Sequence, residues 1–437
     1  MKAGAEPLKR PSHLPTVVTH LATTLDGGAG IALARSHGAL IASGVASRVL
    51  LAKSGRHYDQ HITDCGAPPY ALWRRLLLRA GLSPETSVAV QRRVTNAKVQ
   101  AESRNGPQNF ELFSPPFSRA RPELHPWCND GAVLHLNWVA GMLDWRRFFC
   151  TNQTAPVVIT LHDQHHYLGG LHYSGDLLRN PWLRAEEQRM SGIKKKALTG
   201  RRCVIVGNSE WNTSEAKRSG MFSSDCEYTT IPYSLDEHLY SSDARNGAKE
   251  KIEIESKCFT VGFASDDVTN HRKGFDILLR AVEQLSPALR EQMHLVSFGR
   301  EPESTVRSTC TIPWSHLGFL KTDEQRANAY RAMDLFIVPS REEAFGQTAI
   351  EAITSGCRVI ASEVGGLAEA LVNGEAGQLI APESPASLSR AIEHEACSPS
   401  GKHLLAKARD IVTTKHSPER HARAYQDVFQ QARALVR

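Results

Sequence analysis

Apolar and polar positions alternate along this chain in two long series, each of short apolar runs separated by amphipathic stretches. The first series opens with the run around Val17, Val18 and Leu21, which predicts a buried strand. It passes through a glycine cluster at Gly27, Gly28 and Gly30 into a helical pattern over residues 31–44, and then into a second apolar run at 47–51. Strand, glycine turn, helix and strand is the opening of a parallel sheet. Further strands are expected at 132–136, Val157–Leu161 and 203–206, with helical segments between them, while residues 55–126 are less regular.

The second series starts near Phe259. Strands are expected at 259–263, 294–298, 334–338 and 358–361, and helices at 275–285, 323–332 and 347–355, with a short helix from Leu367. This predicts a second parallel α/β domain. The polar stretch 243–256 reads as the linker between the two. Ser417 and Pro418 form a helix start, and the helix that follows places Tyr425, Val428, Phe429, Ala432 and Leu435 on one face. The expected organisation is an N-terminal Rossmann-like domain over 1–240, a second over 257–416, and a C-terminal helix over 417–437 packing back toward the first domain.

Length agrees with that division, since 437 residues exceed what one hydrophobic core commonly organises. The apolar runs are too short for a membrane span, which needs about 18 consecutive apolar residues. No secretory signal is read at the N-terminus. Nine scattered cysteines without paired CxxC spacing fit reduced thiols in a cytoplasmic protein. The net charge of +6 is modest, but residues 68–104 carry seven basic side chains against two acidic ones. Within that segment Arg74, Arg75 and Arg79 alternate with Trp73, Leu76 and Leu77. That is the composition of an interfacial helix attracted to anionic lipid, or equally of a surface helix packing Trp73 on its own domain. No aromatic platform accompanies a basic stripe, so nucleic acid is not an expected partner.

The chemistry concentrates in the C-terminal series. Glu343 lies in the loop after the strand ending at Pro339 and Ser340, and Glu351 lies about one turn inside the next helix. Ligands of open α/β sheets bind at such strand-to-helix junctions. Carboxylates accept hydrogen bonds from sugar and ribose hydroxyls, while Gly346 and the helix N-terminus offer backbone N–H groups to phosphate. A diphosphate also needs a cation, which Arg272 and Lys273 supply at a neighbouring junction. The plain alternative is that both acids are solvated helix-start residues favoured by the helix dipole. In the first series, His162, Asp163, His165, His166 and His172 form the densest group of potential metal ligands. They lie in a loop and lack the helical HExxH pairing, so a zinc site is not the leading reading. The Gly27, Gly28 and Gly30 turn lacks GxGxxG spacing and is weak as a dinucleotide motif.

Ser340, Glu343-Ala-Phe-Gly346, Glu351-Ala352, Gly356, Val364-Gly-Gly-Leu-Ala-Glu369 and Asn373 to Gly377 run together in a pattern that resembles the donor-site signature of the family 4 retaining glycosyltransferases. Lys273-Gly274, His316-Leu-Gly-Phe319, Leu161-His-Asp163, Gly169 to Ser174 and Asn208-Ser-Glu-Trp211 extend the resemblance over essentially the whole chain. Within the family, the glycine loop and the His-Asp step look most like exopolysaccharide enzymes, including the colanic-acid type. The resemblance implies an α/β GT-B fold of two Rossmann-like domains facing across a cleft. It also implies retaining transfer of a hexosyl group from a UDP- or GDP-sugar to a polysaccharide or lipid-linked glycan precursor, without a cofactor or metal. On this reading Glu343 meets the transferred sugar, Glu351 the ribose and Lys273 the diphosphate. Phe345 and Gly346 supply the loop whose backbone nears the donor, Gly28 belongs to the loop facing the cleft, and His162 lies beside the sugar. One departure stands out: an arginine common in the family is replaced here in the pair Gly262-Phe263, and Arg272 is the available substitute. A non-catalytic sugar-nucleotide or glycan-binding scaffold on the same fold is the alternative.

Overall fold

The computed structural model describes residues 16–52, 60–65, 91–96, 99, 110–300, 307–397 and 402–436. The basic segment around Trp73, Arg74, Arg75 and Arg79 lies outside the described residues.

The first series forms strands β1 (Val17–Ala22), β2 (Ala46–Leu51), β3 (Ile62–Asp64), β4 (Val133–Leu136), β5 (Val157–Leu161), β6 (Val204–Gly207) and β7 (Glu227–Thr230). They build one sheet in the order β3-β2-β1-β4-β5-β6-β7, parallel throughout. Helices α1 (Gly27–Ala42), α2 (Trp145–Thr151), α3 (Ser174–Arg179), α4 (Arg184–Leu198) and α5 (Glu210–Arg218) fill the crossovers. The second series forms a six-stranded parallel sheet in the order β10-β9-β8-β11-β12-β13. Its strands are β8 (Phe259–Asp267), β9 (Met293–Arg300), β10 (Trp314–His316), β11 (Leu335–Val338), β12 (Arg358–Ser362) and β13 (Gln378–Ile380). The accompanying helices are α6 (Phe275–Glu283), α7 (Pro287–Gln292), α8 (Asp323–Arg331), α9 (Gln347–Thr354), α10 (Leu367–Ala370), α11 (Pro385–Cys397), α12 (Lys402–Lys415) and α13 (Pro418–Leu435).

The central strands are mostly apolar and largely buried, as sheets covered on both faces require. The edge strands β3, β7, β10 and β13 are short and partly polar, which blunts the sheet edges and hides them from a hydrophobic-pattern reading. In β8 a side chain at Gly262 would meet Met333 Sδ at 2.2 Å, so close packing demands glycine there. Phe263 turns into the core against Phe275, 4.8 Å between ring centres, and contributes no cation to the cleft.

Helix α13 returns to the first sheet, where Tyr425, Val428, Phe429 and Ala432 pack with Val18, Leu40, Val133 and Val158. Beneath it a chain of polar groups threads the sheet. Ser47 Oγ meets His20 Nε2 at 2.9 Å, His20 Nδ1 meets His135 Nδ1 at 2.8 Å, His135 Nε2 meets Thr160 Oγ1 at 2.6 Å, and Thr160 meets the Tyr425 hydroxyl at 2.8 Å. Burial holds both histidines well below their ordinary pKa, so they are neutral members of the core.

Candidate functional site

The loops at the carboxyl ends of β8 and β11 are stitched together. Arg341 N donates to Arg272 O at 2.7 Å, and Gly274, at φ +73°, approaches Pro339 O so closely that a Cβ would lie 2.0 Å away. That approach places Arg272 and Lys273 beside the loop carrying Glu343. Lys273 Nζ donates to Glu343 Oε2 at 2.5 Å and Arg272 Nη1 at 3.3 Å, with Ser340 Oγ at 3.5 Å. Burial would raise the Glu343 carboxyl, but Lys273 and Arg272 outweigh it and hold the group below the usual carboxylate range. A solvated helix-start acid would not be buried between two cations, so the plain alternative fails for Glu343.

Arg272 also reaches across to the first domain. Its Nε and Nη2 form a fork on Glu111 at 2.5 and 3.2 Å, its Nη1 donates to Glu342 O at 2.9 Å, and its guanidinium lies 4.0 Å over the Tyr173 ring. The neighbouring Glu342 carboxylate accepts from Gly175 N at 3.0 Å and from Ser174 Oγ at 3.3 Å. Phe345 is buried, 5.1 Å from Tyr233 and 5.5 Å from His416 between ring centres, and so anchors the loop with its side chain. Gly346 takes φ +108°, where a Cβ would meet Leu367 Cδ2 at 2.5 Å.

Glu351 forms a second cluster. It is 2% exposed, and its Oε1 accepts from Arg35 Nη2 at 2.7 Å and Gln347 Nε2 at 3.2 Å, while Oε2 accepts from the Tyr330 hydroxyl at 2.9 Å. Arg35 comes from α1 of the first domain and also grips Asp323, Nε to Oδ2 at 3.1 Å and Nη2 to Oδ1 at 2.7 Å. Asp323 is shared with Arg326 and with the Tyr240 hydroxyl, the latter at 3.0 Å. Two arginines thus balance two acids.

His162, at the end of β5, is buried, and burial lowers its pKa to about 4. Its Nε2 meets Asn137 Oδ1 at 3.1 Å and its Nδ1 meets the Tyr233 hydroxyl at 2.8 Å. Since Asn137 Nδ2 donates to His135 O, its oxygen faces the ring and Nε2 carries the proton. Through Tyr233 the histidine is linked to the Phe345 loop. Of the other histidines of this loop, His172 pairs with Asp163 at 2.7 Å, while the loop backbone is held by Lys194, whose Nζ donates to His165 O at 2.6 Å and Leu168 O at 3.0 Å. Among the described residues no group of three or more His, Cys, Asp or Glu side chains is placed to hold a metal ion. At Gly28 a Cβ would meet nothing within 4 Å, whereas at Gly30 it would lie 2.2 Å from Leu25 C, so packing explains the second glycine and not the first.

The structure therefore unites Arg272, Lys273 and Glu343 in one cluster and places Glu351 in another. Arg35, Glu111, Asp323, Tyr233 and Tyr330 are members that sequence reasoning did not single out. Arg35 had a local signal, lying two turns beyond Gly28 on the helix that leaves the glycine loop.

Two facing parallel α/β sheets with chemistry at their carboxyl ends define the GT-B fold, and comparison with known proteins agrees. Residues 258–395 match the family model described as glycosyl transferases group 1. In sequence the chain is 25% identical over 310 residues to a D-inositol 3-phosphate glycosyltransferase of Streptomyces bingchenggensis, covering 68% of this chain and 65% of the relative. It is 33% identical over 141 residues to the lipopolysaccharide core biosynthesis mannosyltransferase LpcC of Rhizobium leguminosarum bv. viciae, covering 28% of this chain and 37% of that protein. The chain thus spans less than two thirds of the length of these curated relatives. In structure it resembles sucrose-phosphate synthase from Thermosynechococcus elongatus, with TM-score 0.67 and 18% identity over 96% of this chain and 99% of the other. It also resembles Anabaena Alr3699/HepE in complex with UDP and glucose, with TM-score 0.64 and 17% identity over 95% and 100%. The fold is GT-B, and the chain's similarity is to group 1 glycosyl transferases.

Proposed function

We propose that this chain is a retaining glycosyltransferase that moves a hexosyl group from a UDP- or GDP-sugar to a polysaccharide or lipid-linked glycan precursor. The observation that carries this reading is the buried Glu343, held between Lys273 and Arg272 at the carboxyl ends of the C-terminal strands, within the segment that matches glycosyl transferases group 1. An incoming diphosphate takes over the Lys273 ammonium, which leaves Glu343 to accept hydrogen bonds from the sugar. Lys273 and the backbone N–H groups at the start of α9 then stabilise the departing nucleoside diphosphate, and the cleft shields an oxocarbenium-like transition state. His162 is neutral, so it does not act as a cationic acid; it donates to the sugar only where a sugar oxygen replaces Asn137 Oδ1 at Nε2. Glu351 takes the ribose, and Gly28 leaves room at the start of α1 for the donor to approach.

Counter-charge in this scheme comes from side chains and helix ends, so transfer needs no metal. The test is to incubate the protein with labelled UDP- and GDP-hexoses and lipid-linked acceptors in EDTA, and to read the anomeric configuration of the product. One donor should be consumed with its configuration kept. Inversion, or a strict requirement for Mn²⁺ or Mg²⁺, contradicts the scheme, and nucleotide binding without transfer to any acceptor favours the scaffold alternative.

A further inference from the structure

Arg272 is occupied by the protein's own groups. Its Nε and Nη2 form a fork on the Glu111 carboxylate, and Nη1 serves both Glu342 O and Glu343 Oε2. The fork is the part of a guanidinium that matches a phosphate, so its occupation by a carboxylate matters. Charge is balanced as well, with Arg272 and Lys273 facing Glu111 and Glu343. A nucleoside diphosphate brings surplus negative charge to this neutral set. One carboxylate must give way before Arg272 can take a phosphate oxygen.

The surroundings distinguish the two acids. Glu343 is held by Lys273 as well as Arg272, and its side chain is 11% exposed. Glu111 is 30% exposed, and among the described residues its carboxylate accepts from Arg272 alone. Burial would raise the Glu111 carboxyl, but Arg272 outweighs it and holds the group below the usual range. It is therefore an anion in competition for the same cation. The Glu111 backbone is tied down, its N donating to Asp176 Oδ2 at 3.1 Å, while Ser114 N donates to Gly170 O at 2.7 Å. Release thus needs only a side-chain rotation. Arg272 stays behind, since Tyr173 supports its guanidinium face at 4.0 Å.

We propose that Glu111 is an autoinhibitory contact, a tethered carboxylate of the N-terminal domain that occupies Arg272 until the diphosphate of a donor displaces it. Binding of the donor is weakened by the work of breaking this ion pair. A ligand without phosphate leaves the pair in place. The proposal deepens the donor-site reading above and rests on it.

The experiment measures dissociation constants of UDP, GDP, uridine and guanosine for the full-length wild type and for Glu111→Gln, Glu111→Ala and Glu342→Ala. Glutamine keeps the shape and removes the charge, and alanine removes the contact altogether, so either variant tests the idea if the other fails to fold. Glu342→Ala is the control, because it removes a second carboxylate contact between the domains, to Gly175 N and Ser174 Oγ, without freeing the Arg272 fork. Both Glu111 variants should bind the preferred nucleoside diphosphate about fivefold or more tightly than wild type. Their affinity for the parent nucleoside, and that of Glu342→Ala for either ligand, should stay within about twofold of wild type. Unchanged or weaker diphosphate binding by the Glu111 variants would overturn the proposal while leaving the donor reading intact. Equal tightening by Glu342→Ala, or of the nucleoside, would also overturn it, since loosened domains and not a freed Arg272 would then be the cause. If neither wild type nor any folded variant binds a nucleoside diphosphate, the donor reading falls as well.

Discussion

Glu343 and Glu351 stand eight positions apart and are both buried, yet the protein holds them in opposite ways. Glu343 lies in a loop and is neutralised by Lys273 and Arg272 of its own domain, the second of which also grips Glu111 of the other. Glu351 lies inside a helix and is neutralised from across the cleft by Arg35, with Tyr330 as its local partner. The first arrangement leaves a lysine that a diphosphate can recruit. The second fixes a carboxylate and ties the two domains together. A loop acid with a transferable counter-ion suits the reacting end of a donor, and a helix acid with a fixed one suits the end that is only recognised.

Substitutions at the two acids give the largest separation. On the proposed reading Glu343→Ala should reduce transfer by about a hundredfold or more at saturating donor, because it would remove a group at the reacting sugar. Glu351→Ala should act mainly through KM for the donor. Steady-state kinetics that show the reverse split would exchange the two roles.

The next effect belongs to the counter-ion. If Lys273 serves the diphosphate as proposed, Lys273→Ala should weaken nucleoside diphosphate binding by about ten- to a hundredfold while leaving nucleoside binding unchanged. Calorimetry with UDP against uridine reads this directly. Equal weakening of both would place Lys273 away from the diphosphate.

Acid sharpens the comparison differently. Glu343 is held below the ordinary carboxylate range, so it stays ionised in mild acid, whereas the buried histidines of the first sheet and of the helix packed on it limit stability there. Burial lowers His162 and His421 to about 4 and His166 to about 3, and His20, His135 and His165 lie well below their ordinary value. A histidine whose folded pKa is depressed contributes stability above its unfolded pKa of about 6.5 and loses it as pH falls through the folded value. Each such group costs about 1.4 kcal/mol per pH unit across that window. The melting temperature should therefore drop steeply between pH 6.5 and about 4, and a flat profile over that range would refute the neutral-histidine core.

The smallest expected effect lies outside both clusters. If Trp73 and its flanking arginines attach the protein to anionic lipid, changing Arg74, Arg75 and Arg79 to Glu should abolish liposome co-sedimentation. Three basic residues account for about 3 kcal/mol of attraction. Nucleoside diphosphate binding should be untouched. Wild-type protein that shows no salt-sensitive vesicle binding would remove the attachment reading.

The sequence made some of this legible and hid the rest for physical reasons. Central strands such as Val157–Leu161 and Leu335–Val338 are near-continuous apolar runs and announce themselves. The edge strands Glu227–Thr230 and Trp314–His316 are half-buried and partly polar, so no periodicity marks them. Glu343, Lys273 and Arg272 could be grouped because each follows a readable strand. Arg35 and Glu111 could not, because each meets its partner across the cleft, 316 and 161 residues away in the chain. Local pattern carries no information about which face of one domain meets the other. Likewise the His20–His135–Thr160–Tyr425 chain joins three strands and the last helix, and only the assembled sheet brings them into line.

The central claim is that the cleft between these two clusters is built for a nucleoside diphosphate sugar, and a thermal-shift panel tests it most directly. UDP, GDP, their hexose conjugates and the parent nucleosides would each be added at graded concentration to wild type and to Lys273→Ala. A ligand at about 100 times its dissociation constant adds about 2.7 kcal/mol of stability. One nucleoside diphosphate and its sugar conjugate should raise the wild-type melting temperature by several degrees and that of Lys273→Ala by clearly less. Wild-type protein that melts at the same temperature with every nucleotide in the panel would contradict the account.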